Sequence, residues 1–510
     1  MRIKELKELL SQVQNKESFA YLQGLHSLKS EYETGGYIEE ASEVAGEIIH
    51  LLVDLGYEYN HVHDNRINDI LVHAYDTKAR GGDFRAYCIA LEWNRARDKK
   101  YYIPRMRVLE KHGIMTAFQD LQDDKLDLLV LNMPPRTGKS TISLFFLTFR
   151  AGLYPEQSIL GNGHSTSLTQ SFYNEFIEVV TSDEYRFAEI FPSVTLVNKN
   201  SEYSYLDFNS RKRFHTMMFR SVDGGTTGLA EASNLLYCDD LVKDVETANN
   251  KDRLDKLYYT YTSTIKDRKV PRKGKDGVYR PCPELHVNTP WSIYDVTNRI
   301  IRNEESKGNN DRVRVISVPC WNEKHESNFM YEEGKGFDVQ YYEDMQLAED
   351  PVIFSAKYLM KCIERDGRPF ERDNLTYYTE LPGDEPDRIV AYNDVSHGGD
   401  DYMSMPVAYV YGLEVYIVDV LFKHDFGGDG VSRLWVRDKI TQHHISRCGF
   451  EKNNGGDFYA TLVDKDLKNV GYRCNITSHN APTRQRKLDR ILACRIEDRK
   501  SGSAGMPRPI

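Results

Sequence analysis

The stretch LVLNMPPRTGKST constrains this chain more than any other: an apolar strand, a loop ending in Gly138-Lys139-Ser140 and a strongly apolar helix follow in direct succession. That succession is the setting in which a glycine-lysine-serine loop cradles phosphates. Gly138 lets the backbone approach an anion, Lys139 reaches the β and γ oxygens, and the Ser140 hydroxyl can ligate magnesium, while the helix start adds its dipole. Arg136, Thr137 and Thr141 complete the loop and the first helical turn. The general pattern G-x-x-x-x-G-K-S/T has Met133 in place of its first glycine, followed by Pro134, Pro135 and Arg136. The loop predicts binding of ATP with Mg2+.

A second apolar run, NLLYCDD, ends in Asp239 and Asp240. At the end of a neighbouring strand, one carboxylate can hold magnesium and an adjacent acid can orient the attacking water, so Asp239 is read as the metal ligand and Asp240 as the base. A surface turn after a strand would present the same two acids. The run ELHVNTP closes on Asn288 and Thr289, placed to sense the γ-phosphate and couple its loss to other parts.

These runs belong to a longer α/β texture. Residues 1–120 read as a helical N-terminal extension or lid, with apolar positions at helical spacing in KELKELLSQV and SEVAGEIIHLLVDLGY. From 121 to 345, short apolar runs alternate with helical stretches, which predicts a parallel sheet with ligands at the carboxyl ends of its strands. Residues 346–385 read as a linker ending in ELPGDEPDR, and 386–510 as a second domain. A length of 510 residues fits this division, since it exceeds what one core organises.

Composition narrows the class. A net charge of -10 excludes a protein that coats nucleic acid along its length, because such binding needs phosphate neutralisation. Local basic runs, KDRKVPRKGK (Lys266 to Lys275) and RKRF (Arg211 to Phe214), remain as candidate patches or solvated faces. The eight cysteines show no C-x-x-C pair and no zinc-ligand spacing, so they read as reduced core residues. No apolar run approaches the ~20 residues that span a bilayer. MRIKELKELLSQ lacks the apolar region of a secretion signal, so no membrane partner and a cytoplasmic location are expected.

The second domain reads as β-β-β-α-β-α-β: RIVAYNDVS, SMPVAYVYG and LEVYIVDVLF, a helix, ISRCGFE, a helix, and YRCNITS. This is the RNase H-like order, in which the first and fourth strands lie side by side. Asp394 and Glu451, at the ends of those two strands, are therefore candidate ligands for Mg2+ or Mn2+ in a two-metal phosphodiester cleavage. Asp401 is a further candidate metal residue, and Asp419 reads equally as a helper or a surface acid.

PPRTGKS, TGLAEASNLLYCDD, VNTPW, FSAKYL and RKLDRI, in this order and at these separations, resemble the large terminase subunits of tailed bacteriophages over residues 85 to 495. In that family the loop often lacks its first glycine and carries an arginine, as Met133 and Arg136 do here. The resemblance implies an ATPase of the additional-strand class joined to an RNase H-like nuclease. Such a protein drives double-stranded viral DNA into a procapsid and cuts concatemeric DNA with a metal-dependent endonuclease. It further implies a homo-pentamer on the capsid, a portal protein and a small terminase subunit as partners, and a place in the host cytoplasm, transiently at the portal. The family commonly has Asp-Glu where this chain has Asp239-Asp240, and uses an arginine in trans, for which Arg211, Arg213 and Arg220 are candidates. Its third nuclease carboxylate comes from a helix beyond the last strand. The late aspartates here are Asp489 and Asp498, with no D-D-x-x-D pattern, so the nuclease domain is expected to be C-terminally shortened. A translocase or helicase without nuclease activity would share the loop and Asp239-Asp240, and a capsid-assembly protein would need neither site.

Overall fold

The computed structural model describes residues 2–57, 64–224, 230–274, 277–308, 311–363, 378–395, 402–424, 431–452 and 456–480. The chain divides into two compact units, residues 1–364 and 365–510.

The first unit opens with seven helices: α1 (Arg2–Ser11), α2 (Phe19–Thr34), α3 (Ile38–Asp54), α4 (Asn65–Arg80), α5 (Phe84–Leu91), α6 (Tyr102–Lys111) and α7 (Ile114–Gln122). Side-chain caps set several starts: Asp83 accepts the Ala86 amide at 2.8 Å, and Asp64 accepts that of Arg66 at 2.9 Å. There follow β1 (Leu128–Asn132), α8 (Lys139–Leu153), β2 (Ile159–Gly163), α9 (Thr166–Thr181), α10 (Phe187–Ile190), β3 (Leu196–Asn200), β4 (Tyr205–Phe208), β5 (Met217–Ser221) and β6 (Leu235–Asp239). The unit continues with α11 (Val245–Ala248), α12 (Lys251–Thr260), β7 (Pro271–Lys273), β8 (Tyr279–Pro281), β9 (Glu284–Asn288), α13 (Val296–Ser306), β10 (Val313–Ser317), α14 (Val339–Ala348) and α15 (Pro351–Lys357).

Eight strands form one sheet in the order β10-β1-β9-β6-β2-β5-β4-β3. The six from β10 to β5 are parallel, and β4 and β3 extend the edge antiparallel. β9 stands between β1 and β6, so the strand ending in Asp239 is not the direct neighbour of the phosphate-loop strand, as the sequence suggested. This is the additional-strand arrangement. Asn132 pairs with Asn288 and Ser317, and Asp239 with Gly163 and Val287, which aligns the carboxyl ends of these strands at one edge.

Both sheet faces are covered, which explains why β1, β2, β6 and β9 are buried along their whole length. One face carries α5, α7 and α8 through Phe84, Phe118, Phe146 and Phe149, with the Phe118 and Phe146 rings 4.9 Å apart. The helices expected as an extension or lid therefore share the core of the sheet. Fully buried Arg150 fastens them: it donates to Gln122 Oε1 at 2.9 Å, to Asn234 Oδ1 at 2.8 Å and to the Asn234 carbonyl at 2.9 Å. The other face is closed by Tyr261, Ile265, Val296 and Ile300 over Leu128, Val130, Leu160 and Leu236. The stretch expected as a linker from residue 346 begins with structure: Asp350 caps α15, and Phe354 and Tyr358 are buried in the first core. Among the described residues no helix is long and apolar enough to cross a membrane, and the described cysteines are free.

The second unit holds β11 (Arg388–Asn393), β12 (Tyr402–Tyr411), β13 (Glu414–His424), α16 (Val431–Gln442), β14 (Arg447–Glu451), α17 (Gly456–Asn469) and β15 (Asn475–His479). Its sheet runs β13-β12-β11-β14-β15, with β12 antiparallel to both neighbours and β11, β14 and β15 parallel. Element order and the pairing of first and fourth strands match the sequence expectation. The α16 and α17 helices pack through Val436, Ile440, Tyr459 and Val463 onto Ala391, Met405, Cys448 and Phe450.

Candidate functional site

Lys139 begins α8, and the loop before it is shaped by two left-handed residues, Gly138 at φ 93° and Arg136 at φ 63°. A side chain at 138 would also collide with Tyr101, whose ring and hydroxyl lie 2.7 Å from where a Cβ would stand, so glycine is required twice over. Met133, in the place of the usual first glycine, is buried, and its amide donates to the Asn288 carbonyl at 3.2 Å. Thr137 is buried with its hydroxyl on the Pro134 carbonyl at 2.8 Å, while Arg136 is exposed.

Lys139 is buried, and its Nζ donates to Thr289 Oγ1 at 2.7 Å and lies 3.3 Å from Asp240 Oδ2. The Thr289 amide donates to Asp240 Oδ1 at 2.6 Å. Asp240 sits just past the end of β6 in a left-handed conformation, φ 39°. The structure thus brings together three residues that the sequence placed in three separate motifs. Asp239 is buried, and its Oδ1 has no hydrogen-bond partner. Burial first, and the neighbouring Asp240 charge second, push its carboxyl up to about 7 against the opposing pull of Lys139 and Ser140. A buried acid with an unpartnered oxygen beside a serine hydroxyl is a donor set that suits a hydrated divalent cation. Asn288 is buried at the neighbouring strand end with its Nδ2 unpartnered, and Thr141 follows half-buried in the first turn of α8.

Several residues around the loop gave no sequence signal. Tyr101 donates its hydroxyl to the Gly138 carbonyl at 2.6 Å, and Tyr331, from the segment after β10, donates to the Thr137 carbonyl at 2.7 Å. The Arg105 guanidinium lies 4.5 Å from the Tyr101 ring centre and 4.7 Å from that of Tyr331. Buried Glu92 accepts the Tyr101 and Tyr102 amides, each at 2.8 Å. His164, following β2, has an unpartnered buried Nδ1; burial holds its pKa down, while the Asp240 charge raises it.

The basic runs are partly neutralised within the fold. Lys269 pairs with buried Glu284 at 2.6 Å, Arg272 pairs with Asp124, and Lys212 lies 3.3 Å from Glu156. Arg211 and Arg213 are exposed, and Arg220, in β5, pairs with Asn162 and has its guanidinium 5.8 Å from the Tyr203 ring centre.

In the second unit, Asn393 of β11 pairs with Phe450 of β14, and Asp394 and Glu451 each follow directly on one of these two paired residues. Asp394 also bridges to Ser404, accepting its amide at 3.1 Å through the main chain. Two adjacent carboxylates can share divalent ions. Among the described residues no group of three or more histidine, cysteine or acidic side chains is placed to hold a metal. Asp401, Asp489 and Asp498 lie outside the described residues. Asp419 is engaged by α16 and the residue after it: it pairs with Lys439 and accepts from His443 Nε2 at 2.8 Å, and Lys439 foremost holds its carboxyl down despite some burial. That favours an ion-pair role for Asp419 over a metal helper.

No protein-family model matches the sequence, and no curated protein matches it significantly. Among solved structures, the HK97 bacteriophage large terminase is matched at 11% identity and TM-score 0.33, over 75% of this chain and 84% of that one. A large terminase from a thermophilic bacteriophage, in complex with ADP, is matched at 13% identity and TM-score 0.32, over 76% and 84%. The ATPase domain of a Thermus phage large terminase is matched at 13% identity and TM-score 0.29, over 48% of this chain and 92% of that domain. At these values the likeness does not itself assign a function, so the reading rests on the residues described above. The chain is similar, in the solved structures named, to large terminases of bacteriophages.

Proposed function

We propose that this chain is an ATP-driven motor of the large terminase type, which moves double-stranded viral DNA into a procapsid and cuts it with a metal-dependent nuclease. The observation that carries the ATPase half is the convergence of Lys139, Asp240 and Thr289 within 3.3 Å beside buried Asp239 at the carboxyl edge of a parallel sheet. In this reading the amides of Arg136 to Thr141 and the Lys139 ammonium bind the ATP phosphates. Ser140 and Asp239 hold Mg2+, which supplies charge neutralisation of the phosphate oxygens when bound. Asp240 orients the attacking water. Asn288 and Thr289 couple the site to the sheet, because Lys139 must leave Thr289 and Asp240 to meet a phosphate. That exchange makes nucleotide occupancy a change in hydrogen bonding at the end of β9.

The position of Asp394 and Glu451 directly after the paired residues Asn393 and Phe450 supports the nuclease half, and these two acids, with Asp401, are assigned to Mg2+ or Mn2+. The partners proposed are double-stranded DNA, a portal protein and a small terminase subunit, with a homo-pentamer as the working form in the host cytoplasm and transiently at the procapsid. A nucleic-acid translocase without nuclease activity is the competing reading, since it would share the loop and Asp239-Asp240. Purified chain tested for DNA-stimulated ATP hydrolysis and for Mn2+-dependent plasmid cleavage separates them: both activities support the proposal, ATPase alone supports the competitor, and neither refutes both.

A further inference from the structure

We infer that Tyr101 and Tyr331 are positioning residues for phosphate binding, holding two peptide groups of the loop so that their N–H bonds face the anion; this rests on the ATP-site reading above. The loop is poor in donors. Pro134 and Pro135 have no N–H, and the Met133 amide is engaged by the Asn288 carbonyl. The cradle therefore depends on the few amides that follow, among them those of Gly138 and Lys139.

In a trans peptide the C=O and the next residue's N–H point in opposite directions. A donor that fixes the Thr137 carbonyl thus fixes the Gly138 N–H, and one that fixes the Gly138 carbonyl fixes the Lys139 N–H. Tyr331 and Tyr101 supply these two donors, at 2.7 and 2.6 Å, on consecutive carbonyls. Glycine at 138 makes the restraint necessary, because its peptide planes rotate more freely than those of any other residue.

The two tyrosines come from opposite ends of the unit and are themselves held. Glu92 accepts the Tyr101 amide, Arg105 lies over both rings and donates to the Tyr101 carbonyl at 2.9 Å, and Tyr331 is buried. Lys335, donating to the Asp98 carbonyl at 3.2 Å, and Arg107, paired with Glu332 at 3.0 Å, tie the Tyr331 segment to the segment around Tyr101. Burial raises both phenols well above their ordinary pKa, so each stays protonated and acts as a donor to the carbonyl.

The test is Tyr101→Phe, Tyr331→Phe and the double variant of the full chain, with binding of ATP, ADP and inorganic pyrophosphate measured by calorimetry and hydrolysis measured alongside. Phe keeps each ring and removes only the hydroxyl. Each single variant is expected to weaken ADP and pyrophosphate binding about fivefold, as loss of one ordinary hydrogen bond's net contribution implies, and the double variant about 25-fold. KM for ATP should rise more than kcat falls, and the melting temperature should stay within a few degrees of wild type. Pyrophosphate is the decisive probe, since it has no base or sugar. Unchanged pyrophosphate and ADP affinity in both variants, with wild type binding normally, overturns the proposal and leaves the ATP-site reading standing. Failure of wild type to bind ATP at all sinks both. If one variant does not fold, the other reads the same quantity on its own carbonyl.

Discussion

Replacing Asp240 with Asn should slow ATP hydrolysis and, less obviously, tighten nucleotide binding. Asp240 stands where it competes with phosphate for Lys139: its Oδ2 lies 3.3 Å from Nζ. At an effective dielectric of about 20, the gross attraction at that distance is about 5 kcal/mol. Most of it is offset by the cost of keeping both groups partly out of water, so the net is on the order of 1 kcal/mol. Asn preserves the shape and retains an amide oxygen for the Thr289 N–H, which Asp240 now accepts at 2.6 Å. Only the charge is lost. Freeing Lys139 should therefore tighten ATP binding about fivefold, while loss of the proposed base should lower kcat by about 10²- to 10⁴-fold. Titration calorimetry gives the first quantity and a phosphate-release assay the second. Binding weakened tenfold or more, with hydrolysis largely retained, would refute the assignment and make Asp240 a metal ligand or an anchor for Thr289.

Gly138→Ala should abolish nucleotide binding with little unfolding, because the new methyl meets both a left-handed φ and the Tyr101 ring; normal ATP affinity by calorimetry would contradict the loop geometry. Asp394→Ala should remove Mn2+-dependent plasmid cleavage and leave ATP turnover within about twofold, since the acid belongs to the other compact unit; unaltered cleavage on gels would place the nuclease chemistry elsewhere. Acid should loosen the helical region through Glu33. Burial alone would raise its carboxyl, but the Thr77 hydroxyl, Lys29 and Arg80 outweigh it and hold it down to about 2. A depressed carboxylate contributes stability above its unfolded pKa of 4.5 and loses it as pH falls toward 2, here up to about 3 kcal/mol. Glu33→Gln should flatten the thermal-stability profile across that window, and an unchanged profile would show that Glu33 is not the group responsible.

The loop, the two acids at the end of β6 and the strand order of the second unit were legible because each is local: a strand, a turn and a helix within about fifteen residues, or an apolar run with acids at its end. Thr289 was legible as a strand-end residue, yet its contact with Lys139 and Asp240 depends on β9 lying between β1 and β6, which no local pattern specifies. Tyr101, Arg105 and Tyr331 carried no signal, since a tyrosine donating to a loop carbonyl looks in sequence like any core aromatic. The α15 segment read as linker because seven residues are too few to show a helical period, although Asp350-Pro351 is a good helix start. The basic run at 266–275 read as a patch because the partners of Lys269 and Arg272, Glu284 and Asp124, are distant in sequence or brought close only by the fold.

We propose that one polypeptide carries two separable activities, ATP hydrolysis and DNA cleavage. The most direct test measures ATP hydrolysis with and without double-stranded DNA, and plasmid cleavage with Mn2+, for wild type, Lys139→Ala and Asp394→Ala. DNA-stimulated hydrolysis should disappear only in Lys139→Ala, and cleavage should disappear in Asp394→Ala. Hydrolysis that survives in Lys139→Ala, or cleavage that survives in Asp394→Ala, would contradict the proposal.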